Sequence, residues 1–562
     1  MGSTPNSGEG HTRRYASARL VLAGSMLVMG VAGMIYEYAL SALGNNLIGS
    51  SHEQIFVIIG LMMFAMGVGA AVQPRIRPPL LDKFLWIEIL LGVIGGLSGL
   101  IVYTAYGYMA SYEVVLYAVA LVIGLLVGFE VPLLIRINES YAGELRSNLG
   151  QILSMDYIGS LGGALLFAYV LLSRVPLAQI SLAVGLVSVA VAGAGLWYFW
   201  SIVRRPRLIL VGVACAAGVL AAAWWYAGAW TAAVEQRTYE DPIVFRDTSV
   251  YQHAVLTERG DHTRLYINGH LQFSSRDEAI YHELLVHPAM LAHGGAERVL
   301  ILGGGDGLAL REVLKHGSVR EVVLVDIDPM ITRLGAEHPR LIEMNRGSML
   351  DARVSVLTAA GITPGESITP ERPSTLRQSF LSEDRYAVAD VRAVHVDAEV
   401  FLRGLPSGER GFDVAICDFP DPRSVGLAKL YSVGFYTRLR DVLSPDGLVA
   451  VQSTSPYHAA EVFVCIGKTL REAGLAATPY RQNVPSFGEW GWHIAAADGR
   501  RVSGATFRGL ETMPVAVSYL TPGVLRGAFE FGRGWFDGAG SVRANTQMRP
   551  VILDYDRRSW RR

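Results

Sequence analysis

The sequence predicts a multi-span α-helical membrane domain fused to an α/β domain, the latter opening with a small N-terminal β-layer. Three features predict it: seven long apolar stretches before residue 231, a strand, glycine turn, helix and strand compressed into 299–328, and alternating apolar residues around two tight-turn signals at 250–273. The glycine unit makes the α/β part Rossmann-like. With 51% hydrophobic and 18% charged residues and a mean hydropathy of +0.31, the 562-residue average conceals two unlike halves.

The apolar stretches run over about 20–43, 54–73, 84–109, 114–135, 152–173, 177–200 and 207–230, each long enough for the ~20 helical residues that a hydrocarbon layer requires. Residues 1–19 read as a disordered tail and 20–230 as the transmembrane domain of about seven helices. A signal peptide does not fit, because the first stretch is too long for a signal core and six more follow. Arg13, Arg14 and Arg19, then Arg75, Arg77 and Lys83, then Arg136 and Arg146, then Arg204, Arg205 and Arg207 fall on alternate sides, which puts the N-terminus inside. Seven crossings would then leave residues 231–562 outside, away from cell-made nucleosides. The expectation is a cell (inner) membrane protein whose catalytic part lies on the cytoplasmic face, with one stretch miscounted or re-entrant or a further crossing left unread. Glu37, Glu88, Glu130 and Asp156 lie within the spans and must face one another, water or a partner; Glu130, near Pro132, and Asp156, next to Tyr157, are the better candidates for a role.

Residues 231–293 read as a β-hairpin subdomain and a connecting helix. Val250–Glu258 and Thr263–Ile267 flank Gly260-Asp261, and Asn268-Gly269 is a second turn. In the helix, His282 and His287 stand five apart, off the four-residue spacing of a zinc helix, and read as structural. No metal site is expected, and Cys215, Cys417 and Cys465 form neither a metal spacing nor a disulfide framework. A net charge of −1 argues against a nucleic-acid partner.

Residues 294–500 carry the main α/β pattern. Val299–Leu302 reads as a buried strand, Gly303, Gly304, Gly305 and Gly307 as a sharp turn, Leu308–His316 as a helix, and Glu321–Val325 as a strand delivering Asp326 where a carboxylate can accept both ribose hydroxyls. Asp306 within the glycine turn would repel pyrophosphate, so a cationic ligand group suits the turn better than a dinucleotide. Two more strands end at Asp397-Ala398 and at Asp418. In an open parallel sheet these acids converge beyond the strands' carboxyl ends, a surplus of charge that points to an amine substrate. The proline-bearing stretch 359–393 reads as a surface insertion, and 501–562 as a C-terminal extension whose placement the residues leave open.

The motifs resemble the spermidine synthases, or polyamine aminopropyltransferases, in their membrane-spanning bacterial form. The likeness covers nearly all of 245–500: YQ at 251–252, GHLQF at 269–273, DEAIYHE at 277–283, GGGDG at 303–307, LVDID at 324–328, DFPDP at 418–422 and LYS at 430–432, with QSTSPY at 452–457 and VPSFGEWGWHIAA at 484–496 resembling the membrane-bound subgroup. The resemblance implies a class I methyltransferase-like fold and transfer of the aminopropyl group of decarboxylated S-adenosylmethionine to putrescine or a similar diamine, giving spermidine and methylthioadenosine without metal or prosthetic group. It also implies roles: Gly303, Gly305, Asp306, Asp326, Asp397, Ala398 and Gln252 for the nucleoside donor, Asp418 as base, and Gln272, Tyr281, Asp421 and Tyr431 for the acceptor. Soluble relatives are often dimeric or tetrameric, so a homo-oligomer is allowed. Asn268 departs from the family's usual aspartate, and Asp326 from its commoner glutamate. Two rival readings are a methyltransferase, which has no evident use for Asp306, Asp418 and Asp421 together, and a polyamine transporter or sensor drawing on the intramembrane acids.

Overall fold

The computed structural model describes residues 7–48, 52–109, 111–139, 145–350, 354–358, 389–406 and 410–559. The chain divides at Asp241/Pro242 into two units. In the first, α1 (Ser7–Ile48), α2 (His52–Val72), α3 (Leu80–Tyr108), α4 (Tyr112–Glu139), α5 (Leu145–Leu166, continued by a wide turn to Arg174), α6 (Leu177–Tyr198) and α7 (Pro206–Gln236) take up the apolar stretches. Among the described residues seven helices are therefore long and apolar enough to cross a membrane. Each apolar run is long enough to close its backbone hydrogen bonds as one helix. α1 starts at Ser7, inside the stretch read from sequence as a tail.

Small residues set how closely these helices approach. A β-carbon on Gly185 of α6 would collide with the backbone of Gly92 and Gly96 on α3, and one on Gly128 of α4 with that of Met66 on α2. Glycine at these crossings lets the helix backbones approach closely.

The second unit opens with an antiparallel sheet ordered β1 (Ile243–Thr248), β2 (His253–Arg259), β3 (His262–Ile267), β4 (His270–Ser274). Asn268 and Gly269 both have positive φ (50° and 78°), as a two-residue hairpin turn demands. Helix α8 (Glu278–His293) then leads to an eight-stranded sheet built from β5 (Arg298–Gly303), β6 (Glu321–Asp326), β7 (Val354–Thr358), β8 (Asp390–His395), β9 (Phe412–Asp418), β10 (Leu443–Gln452), β11 (Ala476–Val484) and β12 (Gly488–Ala496). Its order is β11-β12-β10-β9-β5-β6-β8-β7. The six strands from β10 to β7 run parallel, and β12 is antiparallel to β10 and β11. Fully buried runs such as Val299–Leu302 and Val414–Cys417 reflect helices packed on both faces. Residues 359–388, most of the expected insertion, lie outside the described residues, and 390–393 belong to β8.

The C-terminal extension packs on this unit. The Glu283 carboxylate on α8 accepts the backbone N–H groups of Tyr519 and Leu520 at 3.1 and 2.7 Å, and that of Ser518 as well. Phe529 stacks on Tyr480 at 5.1 Å, and Leu520 and Leu525 join the core beside α8. The extension therefore buttresses the helix that carries Tyr281 and His282.

Candidate active site

The glycine turn follows β5, the strand between β9 and β6. Gly303 pairs with Asp418 across the sheet and has φ 86°; a side chain there would strike the Asp418 carbonyl. Gly305 donates its N–H to Asp326 Oδ2 at 3.0 Å, and a β-carbon on it would stand 2.6 Å from that oxygen. Asp326 Oδ1 accepts the N–H of Asp328 at 2.8 Å, so both its oxygens are oriented by backbone. Burial pushes the Asp326 carboxyl up to about 6, against the pull of those two amides.

Asp306 sits at the mouth of the turn, where helix α9 (Leu308–Leu314) begins, its Oδ1 accepting the N–H of Leu308 at 3.0 Å. Burial raises it to about 6; His282 pulls it down, and Asp418 pushes it up. Asp418 in turn accepts the Tyr281 hydroxyl at 2.7 Å. The Tyr281 phenol is itself held well above its ordinary range, by burial first and then by the Asp418 charge, so it remains a donor. An edge contact with Phe487 at 6.1 Å and a tilted one with Trp492 at 5.7 Å fix its ring.

Behind these acids lies a cation. His282 Nδ1 donates to the Glu278 carbonyl at 2.8 Å and to Glu278 Oε2 at 2.9 Å, and Arg311 grips the same carboxylate at 2.8 and 2.9 Å. Burial disfavours a charged imidazole, but Glu278, with Asp418 and Asp306 beyond it, raises His282 to about 9. At neutral pH it is an imidazolium facing the acid cluster.

Asp421 pairs with Arg423 at 3.3 Å and accepts Gln452 Nε2 at 3.2 Å. Arg423 also lies 2.8 Å from His270 Nδ1, an imidazole that burial and then Arg423 lower to about 4. Tyr431 is fully buried; its hydroxyl points at the carbonyls of Phe419 and Pro420, at 3.2 and 3.0 Å, and accepts from Gln452 at 3.0 Å. It thus holds the 418–421 loop from beneath. Gln272, on β4, is half-buried and donates to the His270 carbonyl at 3.0 Å. Gln252 is presented by a turn that Ser249 closes, its hydroxyl accepting the N–H groups of Tyr251 and Gln252 at 3.0 and 3.1 Å while donating to the buried Asp328 at 2.6 Å. Asp397 caps the helix at Ala398–Gly404 through Oδ1, accepting from Glu399 and Val400 at 2.9 and 3.3 Å, and its Oδ2 meets Lys429 at 2.6 Å. It lines a cavity of about 420 Å³ with Val400, Val425 and Lys429.

Asp418, the glycine turn, Asp326 and Asp397 thus line the carboxyl edge of four adjacent strands, β9-β5-β6-β8. A model of the spermine/spermidine synthase domain matches residues 278–364 and 378–504. Polyamine aminopropyltransferase 1 of Streptomyces coelicolor is 37% identical, over 100% of this chain and 98% of its own. The chain belongs to the polyamine aminopropyltransferase, or spermidine synthase, family. Polyamine aminopropyltransferase 2 of Ralstonia nicotianae is also 37% identical, over 92% of this chain and 93% of its own, and the polyamine aminopropyltransferase of Mycobacterium tuberculosis is 32% identical, over 99% and 98%. A spermidine synthase structure from Thermotoga maritima overlaps 53% of this chain and 87% of that one at 22% identity, with a TM-score of 0.41.

Within this aminopropyltransferase, three features escape sequence reasoning. His282 reads as structural because its spacing to His287 suits no zinc helix, yet its significance lies in facing Asp306 and Asp418 across the fold. The Ser249–Asp328 clamp joins the β-layer to the end of β6, 79 residues on. Arg423, two residues after Asp421, is an internal cation where an amine anchor is expected; the DFPDPR run contains it, but only the fold turns it back on the carboxylate.

Replacing Tyr281 by Phe removes one hydrogen bond to a charged group, worth about 1.5–3 kcal/mol. Steady-state kinetics should give a kcat lower by about ten- to a hundredfold with a donor KM within twofold; an unchanged kcat contradicts the role of the Tyr281–Asp418 bond.

Proposed function

We propose that the chain moves the aminopropyl group of decarboxylated S-adenosylmethionine to putrescine or a similar diamine, releasing spermidine and methylthioadenosine. The observation that carries this reading is the placement of Asp306 in the glycine turn with Asp418 across the sheet from Gly303, close enough for the Asp418 charge to raise Asp306. Like charges so placed favour a cation between them.

In this reading Asp306 holds the ammonium at the end of the aminopropyl arm. The backbone at Gly303 and Gly305 leaves room for the donor, and Asp326 turns its oxygens to the ribose hydroxyls. Gln252, Asp397 and Ala398 line the nucleoside side. On the acceptor side Asp421 and Gln272 receive the far ammonium, Tyr281 walls the groove and Tyr431 supports the loop under it. The reaction is an in-line displacement: the acceptor nitrogen lone pair forms the new C–N bond, the C–S bond breaks, and its electron pair neutralises the sulfonium. Holding the two reactants aligned supplies much of the rate. The nucleophile must be a neutral amine, and Asp418, fixed by Tyr281, takes its proton, a general-base contribution of roughly 10²–10⁴. Ordinary S-adenosylmethionine carries a carboxylate on the same arm, which Asp306 repels.

The helical unit is proposed to sit in the bilayer of the cell membrane. Exposed Trp197 and Trp200 cluster where α6 ends, and exposed Trp225, Tyr226 and Trp230 lie in the last third of α7, the two-ended aromatic distribution of a membrane span. Seven crossings put the N-terminus and the catalytic unit on opposite faces. The donor is a charged nucleoside that does not cross lipid unaided, so the catalytic unit is placed on the cytoplasmic face, against the arginine bias. A C-terminal green fluorescent protein fusion should then fluoresce, whereas a C-terminal alkaline phosphatase fusion that is active instead would reverse the assignment.

Asp418→Asn should abolish methylthioadenosine release while nucleoside binding, read by calorimetry, persists; release at more than a tenth of the wild-type rate removes Asp418 as the base. Because Asp306 titrates near 6 in the empty site, its charge is present above that pH and lost below it. Donor affinity should therefore weaken about tenfold per unit as pH falls below about 6, and Asp306→Asn should bind weakly with a flattened profile. A wild-type affinity that is constant from pH 5 to 8 contradicts the ammonium contact.

A further inference from the structure

Five helices of the N-terminal unit each bring one polar group to a shared place in an apolar interior. They are Tyr36 on α1, Glu88 on α3, Glu130 on α4, Asp156 on α5 and Ser188 on α6. Tyr36 and Glu88 are wholly buried and Glu130 is 1% exposed, while Asp156 is half-buried at the margin. Glu88 and Glu130 lie within hydrogen-bonding reach of each other. Yet two carboxylates are both acceptors and can bond only through a proton or a cation held between them. Both oxygens of Glu88 and Oε1 of Glu130 are sealed from solvent, and no donor among the described residues reaches them. The Tyr36 hydroxyl, which faces the same pair, is also sealed and makes no hydrogen bond of normal geometry among the described residues, with Ser188 beside it. Gly95 allows this placement: a β-carbon there would lie 2.5–2.7 Å from the Tyr36 ring and 2.9 Å from its hydroxyl.

The depth of the pair matters. Glu88 lies roughly eight residues from the start of α3 and Glu130 roughly nine from the end of α4, about 12–14 Å along each axis. An unpaired carboxylate there costs several kcal/mol, and two cost more. A single shared proton leaves one negative charge, with three open acceptor oxygens from the two carboxyls and a fourth on Tyr36. A primary ammonium carries the same single positive charge as that proton and has three N–H donors, so exchanging one for the other leaves the net charge unchanged while donating to the open oxygens.

We propose that the Glu88–Glu130 pair, with Tyr36, is a second binding site that takes the terminal ammonium of a polyamine in exchange for the proton the pair otherwise shares. The site is read from the helices alone; only the choice of an amine over a metal cation rests on the proposed function of the other unit. Asp156 and Ser188 are the further polar groups facing the site and contribute to the pH at which the exchange occurs.

The test uses the full chain in lipid nanodiscs, without donor, treated with dicyclohexylcarbodiimide, which modifies protonated carboxyls in apolar surroundings. Peptide mass spectrometry should find Glu88 or Glu130 modified, and spermidine, but not an equal concentration of sodium chloride, should protect them at least tenfold. Labelling that spermidine does not change, protection by sodium alone, or no labelling at all would each overturn the proposal. In parallel, equilibrium dialysis with radiolabelled spermidine should show that Glu88→Gln/Glu130→Gln loses one bound amine per chain while aminopropyl transfer at saturating substrates stays within twofold of wild type. Equal stoichiometry in both proteins contradicts the site. Protection without any transfer activity would instead sink the catalytic reading and leave this one standing.

Discussion

Negative charge concentrated at the carboxyl edge of a parallel sheet constrains the whole catalytic unit. Asp306, Asp326 and Asp418 come from neighbouring strand ends and turns, and burial in company raises the first two to about 6. Such a cluster is tolerable only if cations answer it. The protein provides some internally: His282 is held protonated by Glu278, and Arg423 pairs with Asp421. These partial answers keep the empty pocket stable and leave charge for a ligand to satisfy.

Much of the surrounding architecture keeps those acids in place. Backbone amides of Gly305 and Asp328 aim Asp326, and the Tyr281 hydroxyl aims Asp418. Beneath the 418–421 loop, Tyr431 and Gln452 hold carbonyls that would otherwise be free to shift. The C-terminal extension contributes from further away, since its backbone N–H groups fasten the helix bearing Tyr281 and His282 through Glu283. The same logic recurs among the apolar helices, where Glu88 and Glu130 face each other with no cation beside them among the described residues.

The parts legible in the sequence are those whose physics is local. A buried strand, a glycine turn and an acid at a strand end announce themselves within ~30 residues, so the β5–β6 unit and the acids Asp306, Asp326 and Asp418 can be read directly. Asn268-Gly269 likewise fixes its own hairpin. What stays hidden is contact between distant segments: Ser249 with Asp328, His282 with the acid cluster, Glu88 with Glu130. Sequence reasoning favours Glu130 and Asp156 among the acids of the apolar stretches because of their immediate neighbours, and the packing of α3 on α4 adds Glu88 to them. Asp397 illustrates an ambiguity that spacing cannot resolve, since an acid after a strand can both face a ligand and cap the next helix; here Oδ1 caps while Oδ2 meets Lys429.

The account stands on a pocket that accepts a positively charged arm and rejects a zwitterionic one. Calorimetric titration of the purified full chain with decarboxylated S-adenosylmethionine and, separately, with S-adenosylmethionine measures that preference directly. Binding of the decarboxylated compound at least a hundredfold tighter is the predicted result; equal affinity, or a preference for the carboxylated compound, would contradict it.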